Sequence, residues 1–171
     1  MIKKILLACA FAIIAAILQS TVLSRIALFG AVPDLALVII VFCAYINGTM
    51  AGQLSGFCSG LLIDFLSAAP LGLNALIRTL IGALAGLLQG AFFLDFFLLP
   101  MILCASGTII KAITLFLLHL LLPGAVPTYA LLTPTLWIEL GLNSIAAPFI
   151  FALLKLVKGL ATGRNINERH R

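Results

Sequence analysis

The sequence predicts an all-α integral membrane protein, a single domain built as a bundle of six transmembrane helices. Three observations predict this fold class. Hydrophobic residues make up 64% of the 171 residues, whereas soluble domains are about half apolar. Charged residues make up only 9%, and the mean hydropathy is +1.30. Because one spanning helix needs roughly 20 apolar residues, the chain has room for about five or six spans and little else.

The first three spans are separated by charge and turn chemistry. Arg25 closes the first apolar segment, and a turn-like sequence at residues 30–34 precedes the second. Residues 35–63 carry no charge but number 29, too many for one ordinary span, so we place a break at residues 47–48. The second span is therefore short, and a tilted or partly re-entrant course stays open for it.

The last three spans are separated in the same way. Residues 67–72 have turn chemistry, and a helix does not continue through Pro70. Asp95 marks the next boundary, and the sequence at residues 123–127 contains two prolines and a glycine that end the fifth span. The six predicted spans cover about residues 5–23, 33–47, 49–66, 73–91, 97–122 and 131–157.

Lysine and arginine are concentrated at the two ends of the chain. The basic residues at these ends are Lys3, Lys4, Lys155, Lys158, Arg164, Arg169 and Arg171. Basic residues favour the cytoplasmic side, so both termini are predicted to be cytoplasmic, which requires an even number of spans. The basic tail at residues 158–171 is typical of contact with anionic lipid headgroups. It carries no nucleic-acid recognition module.

Glycines recur every four residues on two neighbouring spans. Such spacing keeps the glycines on one helical ridge, where bare backbone permits close helix packing. The third and fourth spans are therefore predicted to form a tightly packed hairpin. The first ladder is Gly48, Gly52, Gly56, Gly60 and Asp64, and the second is Arg78, Gly82, Gly86 and Gly90.

Charged residues inside the spans suggest two ion pairs. Asp64 and Arg78 fall at comparable depth in the predicted hairpin, and Lys111 and Glu139 fall well inside the fifth and sixth spans. Since unpaired charges in membranes are rare, we expect each pair to form. Each pair either stabilises the packing of its two helices or forms a substrate or proton site, and the structural role is the favoured interpretation. Asn143 lies one turn from Glu139, so a polar cavity stays an alternative there.

Signatures of enzymes and of cofactor or metal sites are absent from the sequence. It contains no zinc-protease motif, phosphate loop or dinucleotide fingerprint. The four cysteines lie singly in apolar spans, and His119 has no second histidine before His170. The sequence therefore predicts a non-enzymatic protein without cofactor.

Three motifs in order resemble those of the rod shape-determining protein MreD family. Pro33-Asp34-Leu35 opens a span as the family's "PDL" does, and residues 56–64 follow its "G-F-x-x-G-L-x-x-D" helix. Residues 70–76, which include Pro70 and Gly72, follow its "P-L-G-x-x-A-L" turn. The resemblance covers about residues 33–90, and beyond them it rests on hydropathy and length.

The resemblance implies a function and a set of partners. It implies a component of the bacterial inner membrane that works with MreC and, through it, with the actin-like MreB, the glycosyltransferase RodA and a class B penicillin-binding transpeptidase in lateral-wall peptidoglycan synthesis. The family's fold is similar to the substrate-binding subunits of energy-coupling-factor vitamin transporters. A vitamin-binding subunit is therefore the alternative function.

Overall fold

The protein is all-helical in the part of the chain that the structure, a computed structural model, describes. These are residues 2–21, 31–67, 69–90, 97–124, 126 and 133–162. They form six α-helices and no β-strand, namely α1 (Ile2–Thr21), α2 (Leu35–Asn47), α3 (Thr49–Leu66), α4 (Leu73–Leu87), α5 (Leu98–Leu121) and α6 (Pro134–Thr162). Arg25, Asp95 and residues 163–171 of the predicted basic tail lie outside the described residues.

Helix α2 is the centre of the bundle and contacts each of the other five helices. Its residues 36–44 are all buried, as expected for a helix that is apolar on every side. Phe42 on α2 packs edge-on against Phe151 on α6, with ring centroids 4.9 Å apart. The segment that the sequence left open as tilted or re-entrant is thus a continuous helix in the core.

Two helices are long and apolar enough to cross a membrane by length and composition alone. They are α5 and residues 134–156 of α6. The apolar segments of α1, α2 and α4 are shorter, and α2 has 13 residues, a length of about 20 Å against a hydrocarbon core of about 30 Å. By length and hydropathy, α5 and α6 are therefore the two described helices that support membrane residence.

Helices α3 and α4 pack against each other backbone to backbone, as the glycine ladders predicted. A Cβ atom added to Gly52 would collide with the carbonyl group of Gly82, and one added to Gly56 would collide with that of Arg78. Gly60 lies in the same way against Ala75, and Gly86 lies against Thr49. The absence of side chains at these positions is what lets the two helices approach so closely.

The two glycines at the outer ends of the ladders depart from that prediction. Gly48 lies in the break between α2 and α3 with φ of 90°, and Gly90 lies beyond the end of α4 with φ of 71°. No heavy atom lies within 4 Å of where a Gly90 Cβ would be. Both glycines serve backbone turns with positive φ. Gly48 connects α2 to α3, and Gly90 lies in a turn because α4 ends at Leu87 and not at residue 91.

Candidate functional site

Asp34 is a buried carboxylate at the first turn of the central helix. It is the N-cap of α2, and its Oδ1 accepts a hydrogen bond from the Leu37 backbone N–H at 3.0 Å. Aspartate suits this position because its short side chain satisfies an N–H that the helix leaves unpaired. The residue is only 1% exposed, so its negative charge requires partners inside the protein.

Arg78 on α4 is the first of those partners. Its Nη2 donates to both carboxylate oxygens of Asp34, at 2.8 and 2.9 Å. The predicted pairing of Arg78 with Asp64 is therefore wrong. Although α3 and α4 are antiparallel neighbours, the arginine side chain extends to α2, where Asp34 has no competing backbone donors beyond its cap.

Asp64 instead binds the first turn of α4. Its Oδ2 accepts from the backbone N–H groups of Gly72 and Ala75, at 2.9 and 3.1 Å, and its Oδ1 accepts from the backbone and side-chain nitrogens of Asn74, both at 2.9 Å. The first N–H groups of a helix have no partner within the helix, and the positive end of the helix dipole lies there. These four donors occupy both carboxylate oxygens of Asp64, and Arg78 binds Asp34 instead.

Lys111 on α5 joins the two ends of a larger network. Its Nζ lies 2.6 Å from Glu139 Oε1 on α6 and 3.2 Å from Asp34 Oδ2. The structure thus brings together Lys111 and Glu139, the second pair suggested by the sequence, and connects them to Arg78 through Asp34. We call Asp34, Arg78, Lys111 and Glu139 the charge cluster.

Uncharged polar groups extend the charge cluster across α5 and α6. The backbone N–H of Asp34 donates to Asn143 Oδ1 at 2.7 Å, and Asn143 Nδ2 donates to Thr108 Oγ1 at 3.0 Å. Thr108 and Asn143 are fully buried. Thr108 lies one turn before Lys111 on α5. This spacing puts the two residues on one face of the helix, but Thr108 was not among the residues predicted from the sequence.

The charge cluster is electrically balanced and lies away from bulk solvent. It contains two cations and two carboxylates, and the side chains of Asp34, Arg78 and Glu139 are 2%, 6% and 9% exposed, with Lys111 at 20%. Loss of one partner from such a buried network leaves an uncompensated charge, at a cost of about 3–5 kcal/mol. Chemically the arrangement is suited to holding α2, α4, α5 and α6 in one fixed relation.

Other candidate residues lie apart from the charge cluster. His119 Nδ1 lies 2.9 Å from the Val126 carbonyl oxygen. Within the described ranges, no group of three or more histidine, cysteine or acidic residues is arranged to hold a metal ion.

Comparison with known proteins places the chain in one family. The family described as rod shape-determining protein MreD matches residues 1–157, which is nearly the whole chain and extends well beyond the motifs at residues 33–90. The comparison with curated proteins gives no match, and the comparison with solved structures gives none.

Proposed function

Because the chain belongs to the family of the rod shape-determining protein MreD, we propose that it is a non-enzymatic, six-span component of the bacterial inner membrane that supports cell elongation. Membership of this family and the apolar helices make it a rod shape-determining membrane protein. The number of spans and the cytoplasmic location of both termini are part of the proposal. Reporter fusions at each end of the chain test them. Termini on opposite sides of the membrane would contradict an even number of spans, and two external termini would contradict the cytoplasmic location.

The observation that carries the proposal is the family match, and the charge cluster supports a scaffold role. Four helices are tied together by buried ion pairs around Asp34. A balanced network of this kind stabilises one arrangement of helices. A rigid helical body without catalytic chemistry is what a scaffold requires.

The partners in the proposal come from the family and are MreC, with MreB, RodA and a class B penicillin-binding transpeptidase reached through it. Membrane lipids surround the bundle. The glycine ridges of α3 and α4 are filled by each other, so a partner helix has little of that groove left to enter. Contact with MreC is therefore assigned to outward-facing helix surfaces or loops.

Depletion of the protein from its native bacterium tests the function. We expect rounded cells with delocalised wall synthesis, and no rescue by excess vitamins. Rod-shaped cells whose slow growth is restored by one vitamin would overturn the proposal in favour of the alternative, a subunit of an energy-coupling-factor transporter.

Complementation of the depleted cells tests whether the close packing of α3 and α4 is needed for cell shape. Gly56→Ala places a side chain against the α4 backbone, whereas Gly141 on α6 has no heavy atom within 4 Å of its Cβ position. Wild type and Gly141→Ala are expected to restore rods, and Gly56→Ala is expected to fail. Full rescue by Gly56→Ala would show that the close hairpin is not needed for cell shape.

A further inference from the structure

Part of the Arg78 guanidinium is buried without a protein acceptor. Its Nη2 donates to Asp34, but no described residue accepts from Nε or from Nη1. These two nitrogens carry three N–H donors, and Arg78 as a whole is 5% exposed. A buried donor without an acceptor costs about 1–3 kcal/mol, so three of them on one charged group indicate an acceptor that is not part of the protein.

Arg78 is part of the wall of an open recess of about 560 Å³, a volume that includes the open space in front of it. The recess lies where α1 and α3 end and where the chain enters α2. Arg78 is its only charged lining residue in the described part of the chain, and neither Asp34 nor Asp64 contributes to the wall. The other lining residues are Ala16, Gln19, Ser20, Val32, Ile63, Leu66 and Ser67.

A second polar atom in the recess is also buried without a partner. Gln19 Oε1 has no hydrogen-bond donor among the described residues. The wall of the recess therefore includes two side chains, Arg78 and Gln19, that each carry buried polar atoms without a partner. The oxygen and nitrogen of the Gln19 amide are interchangeable by a flip of the side chain. Ala16, Ile63 and Leu66 supply apolar surface beside these polar groups.

We propose that this recess binds a phosphate group at the Arg78 guanidinium, with Gln19 as a second polar contact. Guanidinium donors match phosphate oxygens in charge and in planar geometry, and such charge-assisted bonds are about twice as strong as neutral ones. A single water supplies only two lone pairs and no charge. The phosphate comes from a lipid headgroup or from free phosphate, and the Arg78 guanidinium would bind the phosphate oxygens of either in the same way.

Retained lipid and added phosphate distinguish the two sources. The full-length protein is purified in a phosphate-free detergent, and bound phospholipid is counted by native mass spectrometry. Inorganic phosphate is then titrated into delipidated protein while the thermal midpoint is followed. Retained phospholipid supports the lipid source, and a rise of the midpoint with inorganic phosphate supports the free ion.

Arg78→Lys is the first variant, because lysine keeps a cation beside Asp34 but lacks Nε and Nη1. We expect it to lower ligand retention or affinity about ten-fold, equivalent to one charge-assisted hydrogen bond. Ser67→Trp leaves the charge cluster intact and obstructs the recess, and we expect a similar loss. Ile109→Trp, at a residue 45% exposed on α5, is the matched control and is expected to bind as wild type.

Two results would overturn the proposal. One is wild-type protein that retains no phospholipid and whose midpoint does not respond to phosphate. The other is Ser67→Trp protein that folds and binds either ligand as well as Ile109→Trp does. If Arg78→Lys does not fold, Ser67→Trp and Gln19→Leu decide the question, because neither position belongs to the charge cluster.

Discussion

Two buried aspartates, Asp34 and Asp64, stabilise the bundle in different ways. Asp64 binds donors of the α4 N-cap and first turn, all within eleven residues of it in sequence, so it closes a local turn. Asp34 binds side chains 44 and 77 residues away, so it joins helices that are not neighbours in the chain. The donors nearest to a buried carboxylate therefore decide whether it stabilises a local turn or the arrangement of the whole bundle.

The α3–α4 hairpin around Asp64 and the charge cluster around Asp34 also differ in the kind of contact that holds them together. The α3–α4 hairpin is held by backbone contact where side chains are missing, and Asp64 anchors the turn at its end. The charge cluster is held by the side chains of Arg78 and Lys111, which extend from α4 and α5 to Asp34, and by Glu139 on α6, which binds Lys111. Substitutions in the hairpin should therefore act through steric fit, and substitutions in the cluster should act through unpaired charge.

The largest effect is expected for Asp34→Ala. This change leaves Arg78 and Lys111 without their shared carboxylate, and we expect a loss of about 3–5 kcal/mol. The measurement is the thermal midpoint in detergent, together with the amount of monodisperse protein in size-exclusion chromatography. Asp34→Asn keeps a side-chain cap for α2 and removes only the negative charge, so it separates the contribution of the cap to stability from that of the charge. A variant Asp34→Ala that melts as wild type does would remove the distinction between the two aspartates.

The next effect is expected for Gly56→Ala. Its new Cβ meets the Arg78 carbonyl group, and because backbone moves less readily than a side chain, we expect a loss of about 3 kcal/mol. Gly141→Ala is the matched control, since it gains helix propensity in open space and should be neutral or stabilising. Equal midpoints for the two variants would mean that the hairpin does not depend on close backbone contact.

A smaller effect is expected for Asp64→Asn. Whichever way the new amide is turned, one of its ends faces two N–H donors, so two of four hydrogen bonds are lost, at about 2 kcal/mol in total. Hydrogen exchange at the first turn of α4 should report the loss locally. Asn74→Ala, which removes a single bond to Asp64, should lose about half as much. Uniform exchange across all helices would instead give Asp64 a global role like that of Asp34.

Local features of the fold were predictable from the sequence. The predicted third segment coincides with α3, and the predicted break at residues 47–48 contains Gly48 with its positive φ. Spacing alone also identified the ridges that meet in the hairpin. These features depend on neighbours in sequence and on the helical repeat, both of which are visible in a string of residues.

The partner of Arg78 was not predictable in the same way. Spacing tells which face of a helix a residue occupies, but not which of several helices lies opposite that face. Asp34 was placed in the turn-like sequence at residues 30–34 that precedes the second apolar segment, and the central position of α2 is a property of the whole bundle. Asp64 already offered Arg78 a charge in the adjacent helix, so nothing in the sequence required a more distant carboxylate.

The order of Asp34 and its partners along the sequence bears on how the protein is made. The ribosome delivers Asp34 first, Arg78 only after 44 further residues, and Lys111 after 77. In the proposed six-span arrangement, a carboxylate on an apolar helix is costly in lipid without a counterion, so the nascent α2 would require shelter by insertion machinery or delayed entry until α4 emerges. A chain truncated before α4 is expected to be a target for membrane quality-control proteolysis.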